Sequence, residues 1–117
     1  MQDFRNLKVW EKSHLVTIDI YKLTKSFPKQ ELYGLTSQLR RSASSIPTNL
    51  AEGCGQGSDA QMARYVQISI GSASEVEYQL VLSKDLGYIQ DSKYQELNRD
   101  INEIKRMLIA LLKKLKA

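Results

Sequence analysis

The residues of this chain that could do chemistry are few, and most lie between Gln38 and Gly53, in QLRRSASSIPTNLAEG. Paired arginines, a run of hydroxyl side chains, a proline, Asn49 and Glu52 interrupt what the flanking sequence makes a plain amphipathic helix. Two kinds of chemistry suit such a stretch. Arg40, Arg41 and Asn49 are types that contact phosphates or bases. Alternatively, Arg41, Ser45, Asn49 and Glu52, with Glu75 further on, supply a paired polar network between helices. A network of that kind sets helix register, because leaving one buried charge unpaired is strongly destabilising. Periodicity places Arg41 toward the axis and Arg40 toward solvent.

Catalytic constellations are not found. The only histidine, His14, falls among Leu7, Trp10 and Ile18 on an apolar face, where a core or interface role is expected. There is no E-x-x-H pair, no C-x-x-C and no H-E-x-x-H, so neither a metal nor another cofactor is expected. GCGQGS, residues 53–58, lacks the lysine and preceding strand of a phosphate loop, and reads instead as the end of one helix and the start of another. Cys54 sits at that helix end with no partner assignable from spacing. The expectation is a protein that binds rather than catalyses.

The elements that carry these residues are helical. A chain of 117 residues makes one domain with a core of its own. Helices are expected over Leu7 to Ser26, stopped by Pro28; Glu31 to Cys54; Ser58 to Leu86, closed at Gly87; and Ser92 to about Lys116. Ser58 with Gln61, and Ser92 with Gln95, have the capping-box spacing. Pro47 lies well inside the second helix, removes a donor and opposes the carbonyl of Ala43, so a kink is expected, with Ser44, Ser45, Thr48 or Asn49 satisfying the freed groups. No strand-period alternation competes. The fold class is therefore all-α, an up-down antiparallel four-helix bundle.

The faces of these helices differ. Leu97, Ile101, Ile104, Leu108, Leu111 and Leu115 alternate spacings of four and three, the seam of coiled-coil-like packing. Arg99, Arg106 and Lys113 recur every seven residues on the other side. The first helix is apolar on two sides, with Leu7, Trp10, His14, Ile18 and Tyr21 on one and Val9, Val16, Ile20 and Leu23 on the other. Such a helix is covered on both sides, which predicts a homo-oligomer with Val9, Val16, Ile20 and Leu23 at the subunit interface. Small residues in SASS, residues 42–45, and ISIGSASE, residues 68–75, predict a tight approach of the second and third helices. That approach would compensate the roughly 1 kcal/mol that Gly71 costs inside a helix.

Charge is unevenly distributed. Residues 1–100 carry 12 Lys/Arg and 12 Asp/Glu, and the net +4 sits in the last 17 residues. The single cysteine excludes an internal disulfide, no apolar h-region opens the chain, and no apolar run approaches the ~20 residues of a membrane span. A cytoplasmic protein is expected.

The order F-x-x-L-x-V-W (Phe4 to Trp10), FP-x-x-E-x-Y-G-L-T-x-Q-L-R-R (Phe27 to Arg41), S-I-P-x-N-x-A-E-G (Ser45 to Gly53), then Gly71, Ser72 and Glu75, then L-G-Y-I (Leu86 to Ile89) resembles the four-helix-bundle family also called the 23S rRNA intervening-sequence protein family. The resemblance covers nearly the whole chain. It implies a bacterial up-down bundle assembled as a pentameric ring, without established enzymatic activity. It also implies similarity to the accessory variability determinant of diversity-generating retroelements, a basic pentamer that binds nucleic acid and a reverse transcriptase. Gln56 stands where the family often has arginine, which weakens a phosphate role for that loop, and Ser42 replaces a frequent alanine.

Three functions follow as expectations. The first is a non-enzymatic oligomer that contacts nucleic-acid backbone non-specifically through Arg40, Arg99, Arg106, Lys113, Lys114 and Lys116, with Arg64 next in line. The second is a scaffold that docks an acidic partner protein. The third is membrane-surface association through the amphipathic, basic RMLIALLKKLKA, residues 106–117.

Overall fold

The computed structural model describes residues 2–117, which form four α-helices and no strand. Helix α1 spans Lys8–Thr24, α2 Leu35–Cys54, α3 Asp59–Asp85 and α4 Asp91–Lys116. Single 3-10 turns, Phe4–Asn6 and Lys29–Glu31, precede α1 and α2. The helix of residues 31–54 expected from the sequence thus starts four residues late. Gly34 breaks the path with φ −116° and ψ −115°. The Glu31 side chain then caps the new start, accepting from the Leu35 amide at 3.2 Å.

Cross-helix pairs give the topology. Lys12 lies 3.6 Å from Asp100 while Lys93 lies 2.9 Å from Asp19, so α1 and α4 run antiparallel. Ser45 meets Ser72 and Ser69 meets Ile46, which sets α2 against α3 in the same sense. Helix α3 packs on α2 and α4, α1 packs on the same two, and no Cα of α1 comes within 8 Å of one in α3. They are the diagonal pair of a four-helix bundle.

The core follows the expected stripes. Leu97, Ile101, Ile104 and Leu108 of α4 are fully buried against Leu39, Ile46 and Leu50 of α2 and Val66, Val76 and Leu80 of α3. Helix α3 ends in a Schellman motif: Gly87 has φ +79°, its amide bonds Lys84 O at 2.9 Å, and the Tyr88 amide bonds Ser83 O at 2.9 Å. Ser58 caps α3, accepting from the Gln61 amide at 3.2 Å. The second capping box does not form. Helix α4 starts one residue before Ser92, at Asp91, with Gln90 as its uncapped N-cap.

Helix α1 inverts an expectation. Val9, Val16 and Ile20, expected at a subunit interface, are instead buried in the chain's own core, and Leu23 packs half-buried against it. The exposed apolar residues are Leu15, Ile18 and Tyr21 on the other side. Both faces are apolar, and α2 and α4 cover the one bearing Val9, Val16 and Ile20.

Two glycines also exchange roles. A side chain at Gly71 would meet nothing within 4 Å, so this residue faces outward. The close approach is at Gly53 instead, where a Cβ would lie 3.1 Å from Tyr65 Cβ and 3.3 Å from Met62 Cγ. The small residues that do face each other across α2 and α3 are Ser45, Ser69 and Ser72.

Candidate nucleic-acid interface

Pro47 is buried, and α2 continues through it from Leu35 to Cys54. Proline has no amide to give the Ala43 carbonyl. The missing donor comes from another helix: Thr17 Oγ1 of α1 lies 3.1 Å from Ala43 O and 2.8 Å from Ser13 O, sharing one proton between them. The hydroxyls of α2 serve elsewhere. Ser45 Oγ is 2.8 Å from Ser72 Oγ, and Asn49 Nδ2 donates to Ser45 O at 2.8 Å and to Ser45 Oγ at 2.9 Å. Ser42 donates to the Gln79 carboxamide, and Ser69 donates to Ile46 O at 3.0 Å.

The expected network therefore keeps Ser45 and Asn49 and loses its charges. Arg41, Glu52 and Glu75 are exposed, and none has an ionic partner within 4.0 Å among the described residues. On α2 the buried stripe runs through Leu39, Ala43, Ile46 and Leu50, which turns positions 41 and 52 outward. Arg41 and Glu75 do line one polar cleft with Ser45 and Ser72.

Arg40 is more committed than its sequence position suggests. Its Nε donates to Thr24 Oγ1 at 2.8 Å and its NH2 to Tyr21 O at 3.2 Å, and the guanidinium lies 4.9 Å from the Tyr21 ring centre. It serves the C-terminal end of α1, where carbonyls lack helical donors and positive charge is favoured.

The basic face of α4 is intact. Arg99, Arg106, Lys113, Lys114 and Lys116 are exposed, as is Arg64 on α3. Among the described residues the ion pairs within 4.0 Å engage Arg5, Lys12, Lys84, Lys93 and Lys105, which leaves those six cations without a carboxylate partner. Lys105 instead bridges α4 to α3, donating to Glu77 at 2.9 Å. That bond holds the Glu77 carboxyl below its ordinary pKa. Lys93 binds Asp19 at 2.9 Å, which pushes its ammonium pKa up. The charges of α4 are thus sorted, with paired ones at the helix contacts and unpaired ones outward.

The two residues considered for chemistry are placed among apolar neighbours. His14 stacks on Trp10 with ring centres 4.9 Å apart and planes 10° apart. Cys54 is buried, and burial first, then the nearby Asp3 charge, raises its thiol pKa. No described helix is long and apolar enough to cross a membrane.

Four antiparallel helices, a hydroxyl-lined seam between α2 and α3 and an unpaired basic outer face define an all-α bundle protein with a cationic surface. The chain belongs to the 23S rRNA-intervening sequence protein family, whose profile matches residues 5–110. It is similar to a crystal structure from Bacteroides thetaiotaomicron described as a protein of unknown function from the S23 ribosomal protein family. That similarity is 30% identity over 90% of this chain and 95% of the other, with a TM-score of 0.83. No curated protein matches the chain.

Proposed function

We propose that this protein is a non-enzymatic, ring-forming bundle that associates with nucleic-acid backbone through the outer face of α4. The observation that carries the reading is the unpaired state of Arg99, Arg106 and Lys113, three exposed cations in heptad register on one helix. Cations of this kind release condensed counterions when they meet phosphates, which gives salt-dependent binding with little sequence preference. The family name and the neighbour's description both refer to the ribosome or its RNA, in line with that chemistry.

Assembly is supported by the two exposed apolar stripes. Leu15, Ile18 and Tyr21 lie on α1, and Ile68 and Tyr78 flank the open Gly71 on α3. These helices are diagonal, so the stripes face opposite ways. Two different patches on opposite sides make a head-to-tail contact, which closes into a ring, five-membered in our proposal, when the rotation permits. Every α4 would then point to the same wall of the ring, and a modest charge per subunit would add to a strong field.

The test is fluorescence anisotropy of the full chain with single-stranded RNA and DNA, alongside light scattering for mass. Three phosphate contacts predict roughly a twentyfold loss of affinity between about 50 and 200 mM salt. Salt-independent affinity, or no binding to RNA and DNA alike, would refute the reading.

A further inference from the structure

The corner between α1 and α2 carries a second basic surface that the balanced charge of residues 1–100 conceals. From Ile20 to Arg41 the chain has five basic residues, Lys22, Lys25, Lys29, Arg40 and Arg41, against the single acid Glu31. Glu31 is already engaged at both oxygens, by the Leu35 amide at 3.2 Å and the Tyr88 hydroxyl at 2.8 Å. Among the described residues, none of the five cations has a carboxylate within 4.0 Å.

A cavity of about 320 Å³ opens in this corner, walled by Phe27, Pro28 and Leu32 and rimmed by Lys25, Lys29 and Arg40. Its size lies at the lower end of the ~300–1,000 Å³ range of small-molecule sites. The walls are firm: Phe27 is buried and packs on Tyr88 with ring centres 5.4 Å apart, and Arg40 is held by Thr24 and Tyr21. One residue past Leu32, Tyr33 is 93% exposed, the most open of the large hydrophobic side chains among the described residues. It stands on a turn tied down on both sides by the bonds of Glu31. An open aromatic ring one residue from an apolar slot, and a slot rimmed by unpaired cations, are the elements that hold unstacked bases and their phosphates.

We propose that this corner is a single-strand nucleotide site. One unstacked base enters the slot against Phe27, Pro28 and Leu32, its neighbour stacks on Tyr33, and the flanking phosphates rest on Lys25, Lys29 and Arg40. An acidic peptide with an apolar anchor would use the same charges but leaves Tyr33 without a task. The inference deepens the nucleic-acid reading and rests on it, adding a preference for single strands that α4 alone does not supply.

The experiment measures anisotropy of the full chain with a labelled oligouridylate, a duplex of equal length, and a peptide of one phenylalanine among glutamates. Wild type should bind the single strand more tightly than the duplex. Tyr33→Ala should weaken single-strand binding about tenfold and leave the duplex unchanged. Lys25→Gln with Lys29→Gln should lower the slope of log affinity against log salt by about 1.4. These side chains are exposed, and thermal unfolding checks that each variant folds. If the corner variants bind like wild type while Arg99→Gln with Arg106→Gln loses affinity, the site is wrong and the α4 reading stands. If wild type binds no nucleic acid, both fall; peptide binding that Lys29→Gln removes would then assign the corner to a protein partner.

Discussion

The Thr17 hydroxyl on α1 lies 3.1 Å from the Ala43 carbonyl on α2, the acceptor that Pro47 deprives of its helical amide. One helix thus repairs a defect in another, and the two become interdependent. Thr17→Val keeps the shape and removes the donor, at an expected cost of about 1–2 kcal/mol. Pro47→Ala restores an amide to Ala43, so the same Thr17→Val change should cost less in that background. A double-mutant cycle by urea unfolding reads the coupling, and strict additivity would separate the two residues.

Glycine positions give opposite signs. Gly71→Ala adds a methyl that meets nothing within 4 Å, and should stabilise the isolated chain by about 0.5–1 kcal/mol. Gly53→Ala places a methyl 3.1 Å from Tyr65 Cβ and should destabilise. Thermal unfolding of both variants gives the order. Reversal of the two signs would mean that the α2–α3 contact is tightest at Gly71 after all.

The acid limb of stability should respond to Glu77. Its carboxyl is held below the ordinary value of 4.5 by the hydrogen bond from Lys105. A depressed folded pKa contributes stability that is complete above that value and disappears as pH falls through the folded pKa. Both side chains are partly exposed, so the effect is below about 1 kcal/mol. Glu77→Gln should flatten the fall of the urea midpoint in acid. Lys93, raised by Asp19, works in the other direction, holding its contribution up to about pH 10.5 and losing it as pH climbs through the folded pKa.

Cys54 should be inert while the protein is folded. It is buried, and its thiol pKa is raised, which reduces both access and thiolate. At about pH 7.5 iodoacetamide should label it only as fast as the chain opens, and urea should bring labelling to the free-thiol rate. Rapid labelling of the native chain would place the thiol at the surface.

The parts of this structure legible in the sequence are those decided locally. The four-three spacing of Leu97, Ile101, Ile104 and Leu108 fixes the buried side of α4, and Ser58 and Gly87 mark the ends of α3 by their own chemistry. Where two solutions are locally equivalent, periodicity cannot choose. Helix α1 is apolar on both sides, so the sequence finds the two faces but not which one the chain covers itself. Gly71 sits in a small-residue patch inside a helix and Gly53 at a helix end, so the sequence points to Gly71 for the close approach, and only the path of α3 shows it to be Gly53. The partner of Ala43 lies 26 residues away, and Arg40 reaches back 16 residues to Thr24, distances at which no motif spacing operates. The basic corner was hidden for another reason: a charge count over a hundred residues averages it against acids elsewhere on the surface.

The central claim is that the unpaired cations of α4 carry nucleic-acid association. The most direct measurement is the salt dependence of single-stranded RNA affinity for wild type and for Arg99→Gln/Arg106→Gln/Lys113→Gln. All three residues are exposed and outside the core, so the variant should fold normally. Loss of three phosphate contacts predicts weaker binding at low salt and a log–log slope smaller by about 2. An unchanged affinity and slope would contradict the account.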